Sequence, residues 1–279
     1  MQKNKHLRKL EKFKDFLHVN EKSSATIEKY LRDVSGFFAY VGAKKIDKKM
    51  ALNYKKFLIE NYAVSSANSM IASLNTYFKF CSRKELCIKQ FRVQKSPYLP
   101  QQKELKKEEY LRLVDTAKLK KKEWLSLIIQ TICGTGIRIS ELKFITVEAV
   151  KKGEAVVNLK SKIRRIFIVP KLNKLLLDYA KRKNITSGSI FITRNKKPIG
   201  RINVWREMKK LCVDAGVLEE KVFPHNLRHL FARSFYDEMK DVVRLADVLG
   251  HSNINTTRIY LMTTEIEHKK IMEKIRLII

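Results

Sequence analysis

Residues 223–260 read FPHNLRHLFARSFYDEMKDVVRLADVLGHSNINTTRIY, and this stretch decides the architecture of the second half of the chain. Its apolar residues recur at intervals of three and four, which predicts helices over 225–238 and 242–249 and a further helix over 252–261. Pro224 suits the first turn of the first helix, and Gly250 suits the end of the second. The helices therefore follow one another closely and fix where the intervening polar side chains lie.

Four side chains of this stretch can take part in phosphate or acid–base chemistry. His225 and Arg228 are three residues apart, so they share one helical face and can reach a single phosphate near the helix N-terminus. His251 follows the predicted helix end, and Tyr260 comes nine residues later. His229 lies four residues after His225, which is also a metal-ligand spacing, but no Glu follows His225 and no third ligand is evident. We interpret His229 as a buried support and predict no metal site.

The charge of the chain indicates a polyanionic partner. Lys and Arg number 59 against 28 Asp and Glu, so the formal net charge is +31. The first 100 residues hold 21 basic and 8 acidic residues and the remainder 38 and 20, so both parts are basic, as expected of a protein that grips nucleic acid from two sides. There are two alternatives: the charge could serve only solubility, or the protein could bind a membrane surface. So large an excess of basic residues disfavours both.

Other features bear on where such a chain works. No apolar run approaches the roughly 18 residues of a membrane span, and the first residues lack the apolar segment of a signal peptide. The four cysteines show no C-x-x-C spacing, which favours reduced core cysteines. These features predict a cytoplasmic protein that does not enter a membrane.

Two upstream motifs add further candidate residues. In GTGIRISEL, residues 134–142, Arg138 follows a glycine-rich turn that predicts a helix end, and Glu141 is placed to orient it. Two short β-branched runs, 155–159 and 166–169, flank the polar string KSKIRR and predict a small antiparallel sheet. The string carries Lys160 and Lys162.

These residue types match the needs of cutting and rejoining a DNA strand without an external energy source. A nucleophile must keep the energy of the broken bond in a covalent intermediate. Cations must neutralise the phosphate oxygens, and the leaving oxygen must receive a proton. Guanidinium groups suit the second task because their planar fork binds two oxygens and stays charged, and a cationic cluster also favours the phenolate form of a tyrosine. No cofactor or metal follows from this chemistry.

In order, spacing and flanking residues, these motifs resemble those of the tyrosine recombinase family, which includes phage integrases and Xer-type resolvases. The match is tight over residues 131–142 and 223–260, and the compact chain is more similar to Xer-type members than to large phage integrases. The resemblance implies a catalytic set of Arg138, Lys160, His225, Arg228, His251 and Tyr260, with Glu141, His229 and Lys162 in supporting positions.

The resemblance also implies a role for each residue. Tyr260 would attack the scissile phosphate and form a 3′-phosphotyrosyl link, while Arg138 and Arg228 hold the phosphate. His225 would assist removal of the tyrosine proton, and His251 would bond a non-bridging oxygen.

The lysine is the residue that the resemblance leaves open. The family places its general acid in a hairpin turn with a K-G-x-K-x-R-like string, whereas this chain has Lys160-Ser-Lys162-Ile-Arg164, one residue shorter and without the glycine. Counting from the first strand favours Lys160, and counting back from Pro170 favours Lys162. We predict Lys160 and keep Lys162 as the alternative.

The N-terminal part reads as a separate domain. Four amphipathic helices occupy the first ninety or so residues, and their aromatic residues fall on the inward stripes. Ser24 is the predicted cap of the second helix, and the third follows Asp47. Residues 95–102 contain Pro97 and Pro100 and no periodic pattern, which predicts a linker. The predicted fold is mainly α: an N-terminal helical bundle over 1–94, similar to the family's SAM-like core-binding domain, and an α+β catalytic domain with a small antiparallel sheet over 103–279.

The resemblance further implies double-stranded DNA sites as substrate and a homo-tetramer assembled on them. Residues 265–279 predict a short amphipathic helix that docks on a neighbouring protomer or on its own domain. Two other functions compete with recombination: a DNA-binding regulator without enzymatic activity, and a type IB topoisomerase-like enzyme that relaxes DNA. The target site, any accessory proteins and the choice between chromosome-dimer resolution and mobile-element movement stay open.

Overall fold

The computed structural model describes residues 2–92, 104–159, 162–251, 253–258 and 260, and for residues 2–7, 159 and 162 it describes the backbone alone. The chain divides into two compact units, Met1–Lys95 and Ser96–Ile279. Across the described ranges helices predominate and the strands form one two-stranded sheet, so the predicted mainly-α class with a small antiparallel sheet is confirmed. The predicted linker over 95–102 lies outside these ranges. Within them, no helix has the length and apolar character needed to cross a membrane.

The first unit contains the four amphipathic helices that the sequence predicts. They are α1 (Gln2–Val19), α2 (Ser24–Val41), α3 (Lys48–Asn61) and α4 (Val64–Phe80). Their apolar stripes meet in one core, in which Phe13, Phe37 and Phe78 are fully buried. The rings of Phe37 and Phe78 meet edge to face, with centroids 5.7 Å apart and an interplanar angle of 88°. These aromatic side chains therefore stabilise the bundle from inside.

Side-chain caps set the starts of two of these helices. Asp47, which precedes the predicted third helix, caps α3, since its carboxylate accepts a hydrogen bond from the Met50 N–H at 2.7 Å. The prediction for α2 was wrong by one residue: Ser23 is the cap, with its Oγ accepting from the Thr26 N–H at 3.4 Å. A capping residue needs an extended backbone, which Ser23 has, whereas Ser24 is already helical.

The second unit is helical around one central helix. Its helices are α5 (Lys107–Leu119), α6 (Glu123–Thr135), α7 (Val147–Lys152), α8 (Pro170–Arg182), α9 (Arg201–Lys209), α10 (Cys212–Ala215), α11 (Pro224–Met239), α12 (Val242–Leu249) and α13 (Ile254–Arg258), and a 3-10 helix covers Ile139–Phe144. Leu125, Ile128, Ile129 and Ile132 of α6 are completely buried. Because α6 is apolar on most sides, it packs against α5, α8 and α11 and forms the centre of the core.

The predicted hairpin is present, but its second strand begins earlier than the sequence indicated. Strand β1 (Glu154–Leu159) pairs with β2 (Lys162–Phe167), and the register places Val157 opposite Arg164. The prediction started the second strand at Ile166 because the mostly charged string KSKIRR was taken as a polar turn. The pleat explains the difference: Arg164 occupies the inward face beside buried Ile166, so a charged residue stands where an apolar one was expected.

The stretch that opened the sequence analysis folds as predicted in the main. Helix α11 includes the predicted 225–238, and α12 has the predicted bounds. Helix α13 falls inside the predicted 252–261, of which residues 252, 259 and 261 lie outside the described ranges. The end of α12 and Tyr260 lie beside the first turns of α11, where the candidate site lies.

Candidate active site

Arg228 is a buried arginine that joins three helix ends. It lies in the first half of α11 and its side chain is 1% exposed. Its guanidinium donates to the carbonyl oxygen of Gly136 and to that of Leu249, the latter at 2.8 Å, and it lies 3.0 Å from Nε2 of His251. Those carbonyls terminate α6 and α12, where helix dipoles favour a cation. Arg228 therefore fixes both helix ends against α11.

Gly136 makes this approach possible. It ends α6 in the left-handed conformation, with φ of 64°, which a side chain disfavours. A Cβ atom at this position would also lie 2.4 Å from Cδ1 of Phe231 on α11. Only glycine satisfies both conditions, and the close packing brings the Gly136 carbonyl within reach of Arg228.

Glu141 organises two further arginines. It is 2% exposed and accepts hydrogen bonds from the Arg138 N–H at 2.8 Å and from Arg138 Nη1 at 3.0 Å. Nη2 of Arg164 donates to Oε2, the oxygen that also accepts the Arg138 backbone N–H. Burial alone would raise the pKa of Glu141, but the Arg138 backbone N–H and the charge and hydrogen bond of Arg164 outweigh it and lower the pKa. Glu141 is therefore ionised and holds Arg138 in a fixed orientation, as the sequence predicts.

Arg138 differs from the other two arginines in its exposure. Its side chain is 41% exposed, against 10% for Arg164. Arg138 and Arg164 share the Glu141 carboxylate, while Arg228 bonds to carbonyl oxygens, so the site keeps an excess of positive charge. Arg138 is the arginine best placed to meet an anion that arrives from solvent, while Arg228 and Arg164 hold the surrounding backbone.

His251 follows the end of α12 and uses both of its ring nitrogens. Gly250 ends the helix with φ of 64°, and His251 comes next in the chain. Nε2 of His251 lies 3.0 Å from Nη2 of Arg228, and Nδ1 lies 2.9 Å from Oγ1 of Thr257. A guanidinium can only donate, so Nε2 is the acceptor and the ring proton is on Nδ1, from which it is donated to Thr257. The contacts thus select one neutral tautomer.

Tyr260 lies within a group of three histidine rings. It is 3% exposed, and its ring centroid is 4.2 Å from that of His229, 5.6 Å from that of His251 and 5.7 Å from that of His225. The rings of His251 and Tyr260 are nearly parallel, at 17°. The phenol is therefore held by aromatic packing close to the arginine groups.

The histidines of this group are electrically neutral near pH 7. Burial is the main cause of the lowered pKa of all three, and it brings those of His229 and His251 to about 4. The charge of Arg228 lowers all three further, and that of Arg138 acts on His225 and His251. A neutral imidazole can accept a proton, so the environment keeps His225 in the form that a general base requires.

The same surroundings also change the pKa of Arg228. Burial and then the charge of Arg138 lower its pKa to about 10, while a hydrogen bond with Tyr260 acts in the opposite direction. Arg228 therefore keeps its charge at neutral pH and stands within interaction range of the phenol.

The structure brings together seven of the nine residues selected from the sequence. They are Arg138, Glu141, His225, Arg228, His229, His251 and Tyr260. Lys160 lies outside the described residues. For Lys162 the backbone is described, at the start of β2 and opposite Leu159. The described residues hold no cluster of three or more His, Cys, Asp or Glu side chains that could bind a metal.

Arg164 is a member of this group that the sequence analysis did not select. Its Nη2 binds Glu141 and its Nη1 donates to the Val248 carbonyl oxygen at 2.6 Å. Two signals were available: it stands in the K-x-R part of the hairpin string, and it shares the inward strand face with Ile166. A charged residue at an inward position needs a partner, and Glu141 is that partner.

Comparison with known proteins places the chain among recombinases. Residues 103–266 match the family model described as the phage integrase family. The tyrosine recombinases XerA of Pyrococcus furiosus and Thermococcus kodakarensis are 29% and 30% identical to the chain, covering 96% of it and 94% and 95% of their own lengths. A crystal structure of a lambda integrase dimer bound to a core site, residues 75–356, is similar in fold, with a TM-score of 0.72 at 18% identity over 91% of this chain and 94% of that one.

Proposed function

This chain belongs to the phage integrase family and is a tyrosine site-specific recombinase, and we propose that Tyr260 is its nucleophile. The observation that carries the proposal is the position of Tyr260. It is buried among three neutral histidine rings and within hydrogen-bonding range of a buried arginine. A phenol in this position has a proton acceptor and positive charge at hand.

The proposed reaction is a transesterification at a DNA phosphodiester. Oη of Tyr260 forms a bond to phosphorus while the bond from phosphorus to the 5′ oxygen breaks, which leaves a 3′-phosphotyrosyl link and a free 5′-hydroxyl. His225 takes the phenol proton, and a lysine of the hairpin, Lys160 in our proposal, gives a proton to the 5′ oxygen. Attack by the 5′-hydroxyl of a partner duplex reverses the reaction through a Holliday junction. Each step exchanges one ester for another, so no energy source is consumed.

Arg138 and Arg228 are the proposed phosphate ligands, and they contribute differently. Arg138 is the more exposed and is oriented by Glu141, so it can form a bidentate contact with non-bridging oxygens. Arg228 donates hydrogen bonds to the carbonyls of Gly136 and Leu249. These bonds fix its positive charge near the position where we propose that the phosphate develops negative charge during cleavage.

His251 is proposed to reach a non-bridging oxygen by exchanging one partner. Its Nε2 accepts a hydrogen bond from Arg228, and its Nδ1–H donates a hydrogen bond to the Thr257 hydroxyl. To donate to phosphate, His251 must release Nε2 from Arg228 and gain a proton there, which the negative charge of a bound phosphate favours. Thr257 then keeps the ring in place.

The substrate that fits this chemistry is double-stranded DNA carrying a recombination site. Both parts of the chain are basic, and the net charge of +31 suits a surface that neutralises phosphates on two sides of a duplex. We assign DNA clamping to residues 1–94, the linker to 95–102 and catalysis to 103–279. Assembly of four protomers on two sites would give the synapsis that strand exchange needs, with residues 265–279, which lie outside the described ranges, as the proposed contact between neighbours.

A covalent-adduct experiment tests the proposal. Duplexes that contain a nick near the cleaved bond lose the short 5′ fragment, so the covalent complex accumulates and migrates slowly on a denaturing gel. We expect adducts with a selected subset of a random-sequence library, with Tyr260 as the labelled residue. Absence of any adduct would favour a non-enzymatic regulator. Adducts together with relaxation of supercoiled DNA, but without recombination between two recovered sites, would favour a topoisomerase-like activity.

A further inference from the structure

Arg164 connects three parts of the second unit. It stands on β2, two residues after Lys162, and its side chain is 10% exposed. Nη2 donates to Glu141, which holds Arg138, and Nη1 donates to the Val248 carbonyl at the end of α12. The hairpin, the Arg138 pair and the segment before His251 thus share one guanidinium.

The packing around Arg164 shows that its position is specific. Gly250 lies directly against the aliphatic part of the side chain: a Cβ atom on Gly250 would be 2.4 Å from Cδ and 3.3 Å from Nε of Arg164. Nε is buried and has no hydrogen-bond partner, because it faces this close backbone instead of an acceptor. A buried donor without a partner is costly. The fold tolerates that cost at a residue whose two other nitrogens hold separate segments together.

We propose that Arg164 is a positioning residue that fixes strand β2, which follows the proposed acid Lys160 in the chain, relative to the phosphate-binding groups. The proposal rests on the recombinase chemistry proposed above. Strand β2 is paired with β1 through the backbone, and Arg164 adds side-chain bonds from β2 to Glu141 and to the end of α12. Its exposed face carries Ile163 and Arg165, which project away from the core, so Arg164 is the side chain that ties this part of the strand inward.

Loss of Arg164 is expected to affect proton donation to the leaving 5′ oxygen more than phosphate binding. Glu141 keeps two hydrogen bonds to Arg138 when Arg164 is removed, so the phosphate-binding arginine stays oriented. Strand β2, by contrast, keeps its pairing with β1 but loses both bonds that Arg164 makes outside the hairpin. Proton donation to the 5′ oxygen should therefore suffer more than phosphate binding, and a displacement of about 1 Å is enough for a rate loss of about a hundredfold.

The test compares single-turnover cleavage of two substrates by Arg164→Gln. The first substrate is a nicked duplex of a sequence that forms an adduct with the wild-type protein. The second is the same duplex with sulfur in place of the scissile 5′ oxygen. A thiolate leaves without a proton, so it does not need the acid. We expect Arg164→Gln to be about a hundredfold slower than wild type on the oxygen substrate and close to wild type on the sulfur substrate. Arg164→Lys, which keeps the charge but not the fork, should show a smaller loss on oxygen.

Two comparison variants make the result specific. Arg165→Gln removes the same charge from the adjacent, outward position of β2 and should leave both rates near those of wild type. Glu141→Gln loosens Arg138 and should stay slow on both substrates. An equal loss for Arg164→Gln on oxygen and sulfur, or a loss no larger than that of Arg165→Gln, would overturn the proposal.

Hydrogen exchange provides a measurement that does not depend on cleavage. Amides of residues 162–167 and 248–251 should exchange faster in Arg164→Gln than in Arg165→Gln, since both segments lose their shared tie. Unchanged exchange would refute the role of Arg164 even in an active enzyme. Failure of the wild-type protein to form any adduct, with the exchange difference present, would refute the proposed function and leave the structural tie intact.

Discussion

The ring of His229 lies 4.2 Å from the ring of Tyr260, closer than the rings of His225 and His251. The contact is made by the aromatic rings, and Tyr260 also belongs to a small apolar cluster with Leu245 and Leu249. The ring contacts therefore place the phenol, and its hydroxyl interacts with Arg228. Structure and chemistry at Tyr260 can be separated by removing one oxygen.

Tyr260→Phe should keep the fold and DNA affinity and abolish covalent adduct formation. The substitution retains the ring that packs on His229 and removes the nucleophilic atom. Adducts are measured on a denaturing gel with the nicked duplex, and affinity by titration of the same DNA. Tyr236→Phe, at a half-buried tyrosine of α11 beside the same cluster, is the matched control and should cleave normally. An adduct formed by the Phe variant would mean that another residue attacks.

Alanine at Arg138 and at Arg228 should slow cleavage alike and affect stability differently. Loss of one donor to a developing charge costs on the order of 3 kcal/mol, or about a hundredfold in rate. Only Arg228→Ala leaves buried carbonyls, those of Gly136 and Leu249, without their donor, which costs roughly 1–3 kcal/mol of unfolding free energy. Both tryptophans, Trp124 and Trp205, belong to the second unit, so their fluorescence reports its unfolding.

The exposed Arg244 supplies the control for this pair. It lies on α12, 67% exposed, and contacts Asp241, so Arg244→Ala should change neither rate nor stability appreciably. DNA affinity should fall modestly for Arg138→Ala, since one phosphate contact among many is lost. If DNA affinity and cleavage rate fall by the same factor in Arg138→Ala, Arg138 contributes to DNA binding and not to the chemical step.

Gly136→Ala should destabilise the second unit more than Gly153→Ala. Both glycines have positive φ, of 64° and 74°, so alanine strains the backbone at each by roughly 1 kcal/mol or more. At Gly153 the added Cβ meets open space, whereas at Gly136 it meets the Phe231 ring. The difference between the two variants in tryptophan-monitored unfolding measures the cost of moving α11. Equal destabilisation would show that the Phe231 ring shifts freely.

Much of this site could be predicted from sequence because its parts are local. The first turns of α11 carry His225 and Arg228 at a spacing that places them on one face of any helix. Gly250 predicts that a helix ends just before His251. Arg164 could not be selected in this way, since its importance depends on the tertiary contacts with Glu141 and Val248. The strand start at Lys162 was missed for the same reason: a charged residue faced inward, and only its distant partner explains it.

The predicted cap at Ser24 illustrates a different limit. Ser23 and Ser24 are chemically equivalent, and the choice between them depends on which residue has the extended backbone. A periodic pattern cannot resolve a shift of one residue at a helix end. Residue identity thus predicted that a serine caps α2 and could not decide which one.

Lower pH should destabilise the second unit between about pH 6.5 and about pH 4. An unfolded histidine titrates near 6.5, while His229 and His251 in the folded protein titrate at about 4. In that interval the unfolded chain binds more protons, so the free energy of unfolding falls as pH falls, by up to about 1.4 kcal/mol per pH unit for each histidine. His229→Gln should flatten this dependence, and His18→Gln, on an exposed residue of α1, should leave it as it is. Equal slopes for wild type and His229→Gln would contradict the lowered pKa.

The final prediction decides between Lys160 and Lys162. A general acid matters because the 5′ oxygen leaves poorly without a proton, so a substrate with sulfur at that position should bypass it. We expect Lys160→Ala to be slow on normal DNA, by about 10²–10⁴-fold, and to recover on the sulfur substrate. Lys162→Ala should show little defect to recover. Arg138→Ala is the control that should stay slow on both, because it acts on the phosphate and not on the leaving group.

The two lysines differ in their relation to the described strand. Lys162 is the first residue of β2 and is paired with Leu159 in the ladder. The backbone of Lys162 is held in the ladder and has little freedom to follow a moving leaving group, so we keep Lys160, which counting from the first strand favours, as the acid. Recovery of Lys162→Ala alone would reverse the assignment. Loss of activity in both variants with recovery of neither would mean that the hairpin positions DNA and that another group supplies the proton.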